Sequence, residues 1–139
     1  MALTVKELQI TDNSAEFKNE MRKAADRALE KVGLLAETHV KNEITKIRLV
    51  DTGRLRNSIT HTVKDDTAYI GSNLEYALYQ EVGTGIYYPT GRKDPWLYTD
   101  EKGETHVTRG TKPKHFLKNA ITEHQSEYQR VVEATLKGD

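Results

Sequence analysis

The glycines and basic residues between positions 83 and 93 are the first candidates for chemistry. Gly83-Thr84-Gly85, and the run from Gly85 to Gly91-Arg92-Lys93, have the look of a phosphate-cradling loop. Such a loop needs four residues between its glycines, then Lys and a hydroxyl residue to hold Mg²⁺. Here five residues intervene and Arg-Lys-Asp comes next, so the hydroxyl ligand is missing. A dinucleotide fingerprint would come after the strand of a βαβ unit, a pattern absent from this sequence. The glycines read as turn punctuation.

The five histidines stand at 39, 61, 106, 115 and 124, with no pair at the i, i+4 spacing of a helical zinc site and no HExxH. No cysteine is present to complete a cage, which leaves a metal site only if the fold gathers distant positions. The expectation is no metal, with His39 and His124 on helix faces and His106 on a strand. Ser58, His61 and Asp66 could be written as a triad, but they share one hairpin and lack a nucleophile elbow. Asp65-Asp66 is better read as a solvated turn than as a catalytic dyad. No catalytic residue and no cofactor site is expected.

Arg54 and Arg56 flank Leu55 beside Asp51, and Arg92-Lys93 sits in a glycine-rich stretch. Two readings stand side by side: local pairing with Asp51, or an interface where Arg reaches carboxylates of another subunit. A nucleic-acid module is the alternative from another class, with Arg54, Arg56, Arg92 and Lys93 on phosphates and Tyr87 or Tyr88 stacking on bases. Tyr76, Tyr79, Tyr87, Tyr88, Trp96 and Tyr98 crowd a region with too few Leu and Ile to bury them all. Rings with polar tips suit protein interfaces.

The whole-chain balance weakens the nucleic-acid reading, since 21 Lys and Arg meet 21 Asp and Glu in 139 residues. The length suits one domain spanning 1–139, and a hydrophobic share of 36% makes its core lean. No apolar run approaches a membrane span, and the N-terminus lacks the shape of a signal peptide. The reading is a soluble protein made in the cytoplasm, without a membrane partner.

Seven of the 9 glycines fall between 53 and 110, so helix formers flank a turn-rich middle. Residues 1–12 read as a short strand or arm, and Asp12-Asn13-Ser14 supplies caps for a helix start. Phe17, Met21, Ala24, Ala28, Val32, Leu35, Val40, Ile44 and Ile47 recur at helical steps, which predicts one long amphipathic helix over 14–48. At 1.5 Å per residue it would run about 50 Å. A compact domain of this size is roughly 37 Å across. The helix must either bend near Gly33 or overhang its own domain.

A short helical turn at 54–57 comes next, then strands at 58–64 and 67–72 around Asp65-Asp66. Beyond them lie a short helix at 74–82, a loop at 83–94 expected to be mobile in the free subunit, and a hairpin of 96–99 with 105–109. Pro113 opens a last helix whose buried stripe includes Phe116, Leu117, Ala120, Ile121, His124, Tyr128, Val131 and Val132. Leu35, Ile121 and Val131 are expected to be substantially buried. The fold class is α+β: long N-terminal and C-terminal helices packed on a small antiparallel sheet of hairpins.

Three segments carry a resemblance. Thr52-Gly53-Arg54-Leu55-Arg56-Asn57-Ser58-Ile59 has the form T-G-x-L-x-x-S-I. Tyr76-Ala77-Leu78-Tyr79-Gln80-Glu81-Val82-Gly83-Thr84-Gly85 has the form Y-A-x-x-x-E-x-G-T-G. Phe116-Leu117 precedes the last helix, with Pro113 displaced and His115 adjacent. Together they resemble the tail-completion, or head–tail joining, family of long-tailed bacteriophages and prophages, over about residues 14–135. The resemblance implies a non-enzymatic virion protein of the neck, assembled in the host cytoplasm, without a cofactor. It implies self-association in a ring of six, with head-closure and tail-terminator rings as neighbours, and leaves DNA in the channel as an open contact. Taken with the Arg and Tyr content noted above, the expected interface residues are Arg54, Leu55, Arg56, Asn57, Tyr76, Tyr79, Glu81, Gly83, Thr84, Gly85, Tyr87, Tyr88, Arg92 and Trp96.

Overall fold

The computed structural model describes residues 14–47 and 52–138. The expected N-terminal strand at 1–12, the candidate caps Asp12 and Asn13, and Asp51, the candidate partner of Arg54 or Arg56, lie outside them. The order is α1 (Ser14–Lys46), α2 (Thr52–Ser58), β1 (Ile59–Lys64), β2 (Thr67–Ser72), α3 (Glu75–Val82), a 3₁₀ turn (Gly85–Tyr87), β3 (Trp96–Thr99), β4 (Thr105–Thr108), α4 (Phe116–Thr122) and α5 (Gln125–Leu136). The fold is α+β, with the long N-terminal helix as its axis.

Helix α1 does not break at Gly33: its 33 residues are continuous. Its buried stripe is made of small residues, Ala24, Ala28, Gly33 and Ala36, before Val40 and Ile44. Small side chains let α5 and β1 come close to the axis. At Gly33 an added Cβ would stand 2.7 Å from His61 Cδ2, so glycine here admits a ring. Close approach also explains why Leu35 is only half-buried: the contact runs through Ala36 and Gly33, and Leu35 lies at its flank.

The core sits at the far end of α1. Val40, Ile44, Leu55, Ile59, Ala77, Phe116 and Ala120 form it, drawn from five different elements, with Ile70, Leu74, Tyr76 and Leu117 packed around them. At the opposite end, residues 14–23 are all exposed, Phe17 by 65% and Met21 by 43%. Of the two expected outcomes for so long a helix, overhang is the one observed.

Among the described residues there are two separate antiparallel hairpins, β1–β2 and β3–β4, rather than one sheet. In the first, Ile59 pairs with Ser72 and Lys64 with Thr67. Asp65 and Asp66 both take positive φ, 51° and 58°, as a two-residue turn of the primed type requires. In the second, Leu97 faces Val107 across the pair, and both are about two-thirds exposed. One face of this hairpin is thus open, while Trp96, Tyr98 and Thr108 border a groove shared with Tyr76, Tyr79 and Gln80 of α3.

The last helix is likewise two. It starts at Phe116 rather than near Pro113, and breaks at Glu123–His124 before α5. The break resets the helical phase. Ile121 precedes the break, on the flank of the α4 face that buries Phe116 and Ala120, and is 42% exposed, contrary to expectation, while Val131 beyond the break is half-buried.

Candidate functional site

The residues singled out by sequence divide into a buried set and an exposed set. In α2, Leu55 is fully buried in the core, while Arg54, Arg56 and Asn57 face solvent. The adjoining serine links this turn to the first hairpin. Ser58 Oγ donates to the Leu55 carbonyl at 2.6 Å and shares a 2.6 Å hydrogen bond with Ser72 Oγ. Ser72 Oγ in turn accepts the Leu74 amide at 3.0 Å. Leu55, Ser58 and Ile59 thus have structural work inside the subunit.

Glu81 has the most consequential placement. Its carboxylate is buried and accepts the Leu117 amide at 2.8 Å on Oε2 and the Lys118 amide at 3.0 Å on Oε1. Those amides belong to the first turn of α4, where His115 sits at the cap position in a left-handed conformation and supplies no side-chain cap. A carboxylate brought from α3 satisfies these donors and meets the positive end of the helix. The backbone is joined alongside, with Lys114 N donating to Gln80 O at 2.7 Å and His115 N to Glu81 O at 3.2 Å.

The glycines beyond it make close backbone passage possible. Gly83 (φ 80°) lies against Thr111 and Pro113, and Gly85 (φ 60°) against Arg109 and Gly110, where a Cβ would overlap the Arg109 carbonyl. Thr84 N donates to Thr111 O at 3.0 Å, Ile86 N to Arg109 O at 3.0 Å, and Thr111 N to Thr84 Oγ1 at 2.9 Å. Glu81, Gly83 and Gly85 are therefore buried joints between α3 and the chain leading to α4.

Around these joints lies an exposed apolar rim. Leu78, Tyr79, Ile86, Tyr87 and Tyr88 all face solvent. Tyr79, Gly83, Thr84, Gly85 and Tyr88 line an apolar groove of about 260 Å³ with Leu78 and Val82. Tyr76, Tyr79, Thr84 and Trp96 line a second groove that adjoins it. Tyr79 OH donates to Glu75 Oε1 at 2.7 Å, and that hydrogen bond with the carboxylate charge raises the phenol above its usual pKa. Arg54, Arg56 and Asn57 line neither groove.

The four basic residues of the nucleic-acid reading are likewise divided. Arg92 lies 5.8 Å from the Trp96 ring centroid, and Lys93 Nζ donates to Tyr88 O at 2.9 Å. Arg54 and Arg56 stand apart from them on α2. The written triad does not form either. Ser58 bonds Ser72, His61 Nε2 meets Glu30 Oε2 at 3.1 Å, and Asp66 occupies the hairpin turn.

Among the described residues, two clusters escaped the sequence. Asp100, Glu104 and His106 gather at the β3–β4 turn, and His39, Glu127 and His124 gather where α1 meets the α4–α5 break. The second joins residues 88 positions apart, a distance no local spacing rule spans.

The site residues thus divide into buried joints and an exposed aromatic rim on a small α+β fold. The chain belongs to the HK97-gp10-like family, whose description is "Bacteriophage HK97-gp10, putative tail-component" and whose model matches residues 9–83, over half of the sequence. No curated protein and no solved structure matches it. Among the described residues, no helix is long and apolar enough to cross a membrane.

Proposed function

We propose that this phage tail component is a non-enzymatic structural protein of the virion neck, which completes the tail end and helps join it to the DNA-filled head. The observation that carries the reading is the division within the family-type segments and the residues directly after them. Leu55, Ile59, Glu81, Gly83 and Gly85 hold the subunit together from within, whereas Arg54, Arg56, Asn57, Tyr79, Tyr87 and Tyr88 are left on its surface. A fold that spends its motif residues on internal joints and exposes aromatics and arginines between them offers surfaces to neighbours.

In this reading copies assemble in a ring of six, each meeting the next through unlike patches, as closed cyclic symmetry requires. Neighbouring neck rings engage the two faces. The loop at 83–94, expected to be mobile in the free subunit, is tied at Thr84 and Ile86 to Thr111 and Arg109, and what remains free of it orders on assembly in this reading. Deleting the gene tests the role. The expected result is filled heads and finished tails that fail to join, restored by supplying the protein. Infectious particles in its absence would overturn the reading.

A further inference from the structure

We propose that His39, His124 and Glu127 form a binding site for a divalent transition cation of the Zn²⁺ type, fastening α1 to the elbow between α4 and α5. His39 Nε2 and His124 Nδ1 lie 3.1 Å and 3.2 Å from the same Glu127 oxygen, Oε2. Two imidazole nitrogens and one carboxylate oxygen are a donor set suited to borderline cations and unlike the all-oxygen set of Mg²⁺ or Ca²⁺. Ligands at about 2.0–2.1 Å from a tetrahedral ion stand about 3.4 Å from one another. The two nitrogen–oxygen separations are only a few tenths of an ångström shorter, and all three donor atoms lie within 4.8 Å of one another, so modest side-chain adjustment brings them to a shared ion.

The three residues come from separate places. His39 is on α1, His124 is the residue at which the last helix breaks, and Glu127 lies in the first turn of α5. The break gives His124 a non-helical backbone (φ −122°, ψ 20°), which turns its ring toward α1. The two rings are stacked, with centroids 3.5 Å apart and planes 9° from parallel. Tyr128 walls the site: its ring meets His39 edge-on at 5.9 Å, and its hydroxyl is committed to the Ala120 carbonyl at 2.7 Å.

The stack also defines what binding must do. Lone pairs of parallel rings run side by side, so the imidazoles must tilt apart to converge on one ion. Each imidazole must present a lone pair at the nitrogen now facing Glu127, with its proton carried on the other ring nitrogen. No net proton is released if both rings begin neutral. Three protein donors leave a coordination position for water or for a side chain of a neighbouring subunit.

Titration of the full-length, metal-stripped protein with ZnCl₂ tests this by calorimetry, with MgCl₂ as the comparison and ring-nitrogen NMR to track the histidines. One Zn²⁺ per chain is expected to saturate in the micromolar range, to shift the His39 and His124 nitrogens together, and to raise the melting temperature. His39→Gln and Glu127→Gln are each expected to lower affinity about tenfold or more. His106→Gln, in the other cluster, is expected to leave it unchanged. Circular dichroism checks each variant's fold, and His124→Gln replaces any that fails. Absent uptake, equal uptake of Mg²⁺, or uptake lost with His106 and retained without His39 would overturn the site.

Discussion

Gly85 illustrates how much one position decides. Its φ of 60° and its contact with the Arg109 carbonyl leave no room for a Cβ, and the obstacle is backbone rather than a side chain that could swing away. Gly85→Ala is expected to destabilise the subunit by about 3 kcal/mol, measured by urea unfolding. The reverse applies at Asp66, where a non-glycine residue occupies the left-handed region at φ 58°. Asp66→Gly relieves that conformation, and a gain of about 0.5–1 kcal/mol is expected by the same assay. Asp100 gives a pH dependence with a definite sign. Its hydrogen bond to His106, with the backbone amide of Glu104, holds its carboxyl below the usual range. A lowered folded pKa stabilises above the unfolded value of about 3.9 and is lost as pH falls through the folded one. The β3–β4 turn should therefore keep its amide shifts from neutral pH to about 4 and lose them below, whereas Asp100→Asn should remove that acid step.

At the scale of elements, energy is unevenly distributed along α1. Leu55 from α2 is fully enclosed against the α1 end that holds Val40 and Ile44, so Leu55→Ala is expected to cost about 2–5 kcal/mol. Phe17→Ser at the exposed end should change stability by less than about 0.5 kcal/mol. Helical periodicity and strand alternation make α1, both hairpins and α3 legible, because each pattern is local. The 3.6-residue stripe even includes Phe17 and Met21, although no described residue covers them. Other features are not legible, for equally physical reasons. The α4–α5 break carries no proline or glycine, and His115 adopts φ 52° without the glycine that usually announces it. The buried role of Glu81 depends on amides 36 and 37 residues away. In sequence alone, an acid in a motif between tyrosines looks like a surface group. The glycines at 83 and 85 are turn residues, as their spacing suggests, but which backbone they admit is a tertiary fact.

At the scale of the whole molecule, exposed and buried halves of the motifs separate folding from association. Arg56 is on the exposed side of α2, away from the core that Leu55 fills. Arg56→Glu is expected to leave the melting temperature within a few degrees while weakening self-association, read by sedimentation of the purified protein. Normal association in that variant would move the contact from α2 to the rim around Tyr79 and Tyr88. The two hairpins add something that side chains do not. Each strand has a single partner, so every strand among the described residues is an edge. Among those residues, no backbone hydrogen bond beyond the ladder itself reaches the outer sides of β1 or β2. Open rows of N–H and C=O groups recognise extended chain regardless of its sequence. A neighbour could thus be joined by continuing a sheet across the boundary, with register set by strand pairing and specificity left to the side chains beside it.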